Sequence, residues 1–244
     1  MADQEVIKHV KAAISTSRDK NKSWQVKLQE ILLEIVIIVF AVSLSIWLHS
    51  WAEGRKDRQD EHEFLVGLKQ DIGEDMQEMQ SDSLSNELRQ RYSEYFERVG
   101  SGEKLNMDTA NAYSWVFGSW STIDPRISRF EALKGSGKLG IIENKDLLNR
   151  ITELYAKDFP LIRNLNQLAS DLKMNHMLPY LAAHAELDAK GAITNWDVLL
   201  RQSEMRILVR TQGSLNDNLA AYGKAIKHCR GILEEMGKEV GGAR

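Results

Sequence analysis

The sequence predicts an all-α fold with one membrane span, on three observations. Eighteen residues from Ile31 to Leu48, ILLEIVIIVFAVSLSIWL, carry a single charge. Downstream, apolar residues recur at spacings of three and four, the helical period. Only three prolines interrupt the 244 residues. With 43% apolar residues the chain can bury a real core, so a disordered or collagen-like chain is excluded. One cysteine excludes a disulfide framework and a Cys-rich zinc module. Lys+Arg 32 against Asp+Glu 35 leaves no basic footprint, so no nucleic-acid partner is expected.

The apolar run covers roughly 27 Å as a helix, close to the hydrocarbon thickness of a bilayer. Trp47 and Trp51 stand at its far end and Trp24 on the near side, where indole rings favour the headgroup layer. HSWAEGRKDR offers no small-x-small cleavage site, so an uncleaved anchor is expected rather than a signal peptide. Lys8, Lys11, Arg18, Lys20, Lys22 and Lys27 precede the run, and Arg55, Lys56 and Arg58 follow it. That balance predicts a cytoplasmic N-terminus and a C-terminal domain in the periplasm of a Gram-negative cell, with the anchor in the inner membrane. The lone cysteine is compatible with that compartment.

Within the run, Glu34 has two readings. It could relay protons or hydrogen-bond between helices, or it could reach back to interfacial water from one turn inside the cytoplasmic edge. The second is favoured, because a charge costs less near the interface than at the midplane. Ala41 and Ser45 form a small-xxx-small pair, a candidate helix–helix contact.

Four segments follow: a polar, basic tail over 1–30, the transmembrane helix over 31–51, a stalk helix over 52–100, and a helical bundle domain over 101–244. In the stalk, Leu65, Leu68, Ile72, Met76 and Met79 hold helical spacing, and Leu84, Leu88, Tyr92, Phe96 and Val99 resume it after a break near Ser81–Ser85. Gly100-Ser101-Gly102 ends the helix. Asp108 is expected to cap a short helix carrying Tyr113, Trp115, Val116 and Phe117. Ile127 to Lys134 suits another, with Gly135 and Gly137 able to take the left-handed conformation. Asn144 caps the next, whose apolar face is Leu147, Leu148, Ile151, Leu154 and Tyr155, and Pro160 is expected to kink or interrupt it. Near the end, Leu208, Leu215, Leu219, Tyr222, Ile226, Cys229, Leu233, Met236 and Val240 have the period of a coiled-coil face or of a bundle helix. The bundle is favoured because Gly223 and Gly231 weaken an isolated helix, and Cys229 is then a buried thiol rather than a crosslink across a dimer axis.

Motifs for chemistry are sought without success. Lys134-Gly135-Ser136-Gly137-Lys138 lacks the earlier glycine and the Ser or Thr of a phosphate loop, which leaves a helix end. The histidines form no zinc-hydrolase spacing. Met174, His176 and Met177 offer soft atoms for copper but suit the surface and core of one helix better. No GxSxG is present. No catalytic residue, cofactor or metal is expected, and the chain is read as a non-enzyme.

Two stretches resemble a known family. The first is LLEIVIIVFAVSLSIWLHSWAEGRKDRQDEHEFLVGLKQDI, matched through Glu34, Trp51, Arg55, Lys56, Glu63, Leu65 and Leu68. The second is SRFEALKGSGKLGIIENKDLLNRITELY, matched through Phe130, Glu131, Leu133, Lys134, Gly137, Leu139, Ile142, Asn144, Leu147, Ile151, Leu154 and Tyr155. Together they resemble the bacterial single-pass membrane family of domains of unknown function, number 6090. The chain departs from it at His49 and Ala52, where the family often has Asn, and at Ala41 or Ser43, where it often has Gly. The resemblance implies architecture and no catalytic residue.

The expected function is therefore a membrane-anchored scaffold or interaction protein, held in the lipid bilayer and acting through protein contacts as a homo-oligomer or with a membrane-protein partner. Two alternatives stay open: a subunit of an ion- or proton-coupled complex using Glu34, and a periplasmic helical-bundle ligand sensor that needs a separate output partner.

Overall fold

The computed structural model describes residues 24–213 and 217–242; the basic positions up to Lys22, and Leu215, lie outside them. Among the described residues there is no β-strand, only an isolated antiparallel bridge between Leu187 and Ile193. The fold is all-α, as the periodicity predicts. It divides into two compact units, residues 1–60 and 61–244, and helix α1 (Trp24–Gly100) contributes to both.

In the first unit the apolar run is bare. Its large apolar side chains from Ile31 to Leu48 are each between 38% and 65% exposed, so the run is not a core helix within this chain. Among the described residues α1 is the one helix long and apolar enough to cross a membrane.

The second unit adds α2 (Met107–Tyr113), a 3-10 turn (Ser114–Phe117), α3 (Ser128–Gly135) and a second 3-10 turn (Lys138–Ile141). Then come α4 (Lys145–Glu153), α5 (Phe159–Leu172) and α6 (Leu178–His184), joined without a break by π turns at Leu154–Asp158 and Lys173–Met177. The short α7 (Trp196–Leu199), then α8 (Ser203–Gly213) and α9 (Asp217–Gly242), complete it.

From Glu61 on, α1 is a core element of this unit rather than a free stalk. One seam runs along it at alternating spacings of three and four: Leu65, Leu68, Ile72, Asp75, Met79, Asp82, Asn86, Arg89, Ser93 and Phe96, all buried or half-buried. The expected break near Ser81–Ser85 is not there; the helix runs through it, and Ser85 Oγ donates to Ser81 O. The seam keeps its cadence by turning polar. Leu84 and Leu88, which the apolar pattern places on the buried face, are 63% and 40% exposed.

The prolines are accommodated by widened turns instead of a break. The N–H of Phe159 reaches Leu154 O and that of Leu178 reaches Lys173 O, and Pro160 and Pro179 follow directly. A regular turn would drive each ring into the carbonyl four residues back, and the wider turn moves that carbonyl aside. The inward face then runs Leu147, Ile151, Leu154, Asp158, Ile162, Asn166, Ala169, Lys173, Met177 and Tyr180, all buried.

Local signals set the ends. Asn144 caps α4 by accepting from Leu147 N, as its position predicts. The cap of α2 is Asn106, accepting from Thr109 N, and Asp108 sits in the first turn instead. Gly137, at φ 71°, takes the left-handed conformation, whereas Gly135 stays helical. Two helix-interior glycines are explained by close approach: a Cβ at Gly67 would collide with the Arg129 guanidinium, and one at Gly231 with that of Arg150.

Two apolar clusters result. One joins Leu65 to Met79 of α1 with Phe130, α4 and α9. The other joins Tyr95 and Phe96 with Val116, Phe117, Tyr180, Trp196 and α8. The periodic C-terminal stretch is two helices, and its buried line is Tyr222, Ala225, Cys229, Ile232 and Met236.

Candidate functional site

The residues singled out for the membrane lie together on the first unit. Trp47 and Trp51 are 61% and 53% exposed. The Arg55 guanidinium lies 5.0 Å over the Trp51 ring, one turn on. Lys56 is exposed, and His49 Nε2 lies 3.2 Å from Glu53 Oε1. An amphipathic ring stacked with a cation at the end of an apolar run is the chemistry of a headgroup layer. Glu34 is half-buried among exposed neighbours. Ser45 Oγ donates to Ala41 O at 2.9 Å, so the hydroxyl is satisfied within its own helix, as a hydrocarbon surrounding requires.

The second unit holds a polar layer that motif reading missed. It lies on the α1 seam between the two apolar clusters and draws side chains from the 118–127 loop, α5 with its following π turn, α8 and α9. Asn218 Nδ2 donates to Asn166 Oδ1, Asn166 Nδ2 to Tyr222 Oη, and Tyr222 Oη to Asp82 Oδ2 at 3.2 Å. This chain of donors ends on the Asp82 carboxylate. Burial raises the Asp82 pKa, against the Tyr222 hydrogen bond and the Arg89 charge. Arg89 donates through Nη1 to Asn86 Oδ1 and Ser121 Oγ and through Nε to Ser119 Oγ. Lys173 Nζ donates to Ser119 O. On the other side Gln212 Nε2 donates to Ser93 Oγ at 2.7 Å.

Lys173 is the least expected member, at 3% exposure. Burial, helped by the Arg89 charge, pulls its ammonium down to about 7. Unfolded, it returns to the ordinary lysine value of 10.5. Between those limits the unfolded chain binds a proton that the folded chain lacks, so this group makes stability rise with pH. Below pH 7 the cost of the buried charge is present in full. Replacing Lys173 by Met is expected to raise stability at pH 6 by about 1–2 kcal/mol and to flatten the rise between pH 7 and 10. Urea titrations of both proteins at pH 6 and pH 9 measure this, and a loss of stability at pH 6 would refute it.

A buried carboxylate marks the other π turn. Asp158, 3% exposed, lies 2.9 Å from Lys224 Nζ and 2.6 Å from His228 Nδ1, tying α9 to the turn. Cys229 follows His228 but faces the core, and burial pushes its thiol up to about 12, which makes it a poor nucleophile. Arg126 spans Glu74, Asp75 and Glu78 and fastens the 118–127 loop to α1.

The motif lookalikes resolve locally. In the Gly135–Gly137 stretch, Ser136 N donates to Ala132 O and Gly137 N to Lys134 O, so those amides serve a helix end. Met177 is fully buried while Met174 is 49% exposed, so the copper-like atoms diverge. No group of three or more His, Cys, Asp or Glu that could hold a metal occurs among the described residues. A cleft of about 300 Å³ opens where the end of α1 meets α8, lined by Phe96, Glu97, Gly100, Ser101, Leu200, Ser203, Arg206, Ile207, Val209 and Arg210. No family model, curated protein or solved structure matches the chain.

Proposed function

We propose that this chain is a membrane-anchored helical protein that acts through protein contacts and catalyses no reaction. In this reading it sits in the inner membrane of a Gram-negative cell, N-terminus in the cytoplasm and helical domain in the periplasm. It works there as an oligomer or with another membrane protein, without nucleic acid, and it belongs with the single-pass family that it resembles. One observation carries the reading: the whole run from Ile31 to Leu48 is exposed on a helix whose later turns are core to a folded domain. Aliphatic surface on that scale is stable only in lipid or against a partner. Exposed leucines on the domain, Leu84, Leu161 and Leu168, supply apolar contact surface.

Cysteine labelling tests the side of the membrane. The native thiol is buried, so Glu87→Cys on the exposed face of α1 gives the one reactive site expected. A membrane-impermeant maleimide should label this variant in spheroplasts as fully as in lysed cells. Labelling only after lysis would overturn the orientation. Crosslinking the same preparation in its native membrane should trap an oligomer or a neighbour, and a chain that stays monomeric there would count against the contact role.

A further inference from the structure

The cleft between the end of α1 and α8 has a composition that the anchoring role does not use. Its floor is apolar and packed shut, with Phe96, Leu200 and Val209 each at most 2% exposed, and Ile207, 65% exposed, offers the apolar surface that a ligand can reach. Its wall carries both signs of charge. Arg206 and Arg210 stand one turn apart on α8, and Glu97 stands on α1. None of these three side chains makes an ion pair among the described residues, whereas Arg98, beside Glu97 on α1, pairs with Glu103. Opposite charges that line one cleft and yet do not pair are left for something else to bridge. Ser203 opens α8 and stands in the wall on the arginine side.

We infer that this cleft binds a small zwitterion with an apolar body, that is, a free apolar α-amino acid. Its carboxylate is taken by Arg206 and Arg210, its ammonium by Glu97, and its side chain lies against Ile207 above the closed floor of Leu200 and Val209. The volume, about 300 Å³, is at the lower end of small-molecule pockets and suits a single residue rather than a peptide. A simple fatty acid would leave Glu97 without a cation, and an amine alone would leave two guanidinium groups without an anion. Arginine holds a carboxylate in a planar fork, which fixes the ligand's orientation.

Equilibrium dialysis of full-length protein in lipid nanodiscs, with radiolabelled L-leucine and L-phenylalanine, tests the inference. Saturable binding of at least one is expected. The N-acetyl derivative and the amide should each bind at least about tenfold more weakly, the loss of one charged hydrogen-bonded contact. Arg206→Gln with Arg210→Gln, and separately Glu97→Gln, should weaken the amino acid to a similar degree. All three positions are exposed, so the fold is not at stake. Ser203→Trp, which fills the cleft, should abolish binding. Absence of saturable binding, equal binding of the N-acetyl derivative, or binding untouched by the Ser203→Trp change would overturn the proposal.

Discussion

A full-length chain carrying Phe40→Arg and Leu44→Arg is expected to leave the membrane fraction. The two positions lie one turn apart near the middle of the apolar run, 65% and 42% exposed, so neither arginine has a protein interior in which to hide. At the centre of a spanning helix each arginine costs about 3 kcal/mol, whereas each aliphatic residue contributes only roughly −0.3 to −0.6. Two arginines therefore cancel the insertion free energy of the entire run. Alkaline carbonate extraction measures the effect. The native chain should stay with the lipid pellet, and the variant should be recovered in the supernatant or be degraded. Release of the native chain by carbonate would remove the basis of the membrane reading.

Trp196→Ala is expected to cost about 3–5 kcal/mol of stability, the range for deleting a buried large aromatic. The indole is fully buried, with ring centroids 5.2 Å from Phe96 and 5.9 Å from Phe117. Its Nε1–H donates to Asn111 Oδ1, which also accepts from Ile193 N, while Asn111 Nδ2 donates to Ile193 O. Truncation therefore opens a cavity and loosens the loop before α7 as well. For a domain of this size the melting temperature should fall by roughly 6–20 °C. Trp196→Phe keeps most of the volume and loses only the hydrogen bond, so its fall should be much smaller. Calorimetry of the three proteins in nanodiscs decides the matter, and a fall of under about 3 °C for the alanine variant would mean that the aromatic cluster is not cooperative core.

How far the fold was legible differs from element to element. The apolar run was plain because eighteen contiguous residues need no assumption about register. The first half of the α1 seam was legible through Leu65, Leu68, Ile72 and Met79, which are apolar at helical spacing, but the buried position between the last two is Asp75 and not the expected Met76. Its second half was not. Hydrophobicity pointed to Leu84 and Leu88, whereas the cadence of three and four, followed regardless of polarity, leads through Asp82, Asn86, Arg89 and Ser93 to Phe96. The polar layer was invisible as a motif because five separate chain segments contribute to it. Lys173 in particular looks like any helical lysine, yet the regular cadence Asn166, Ala169, Lys173 carries it onto the inward face. Asp108 and Asn106 were equally good cap residues by type, and only the backbone distinguishes them. Among the membrane residues, Trp51 was legible as an indole at the end of the run and Arg55 as part of the basic cluster after it, while the stacking of one on the other needs the structure.

The two widened turns between Lys145 and His184 have a consequence for phase. Each carries one residue more than a regular helix requires, and that surplus lets the spacing of the inward face go four and four where three would be due. A polypeptide one residue shorter at either turn would keep everything beyond it pointing the same way. What it would forfeit is clearance for a ring: Pro160 would again meet the carbonyl of Ala156, or Pro179 that of Asn175.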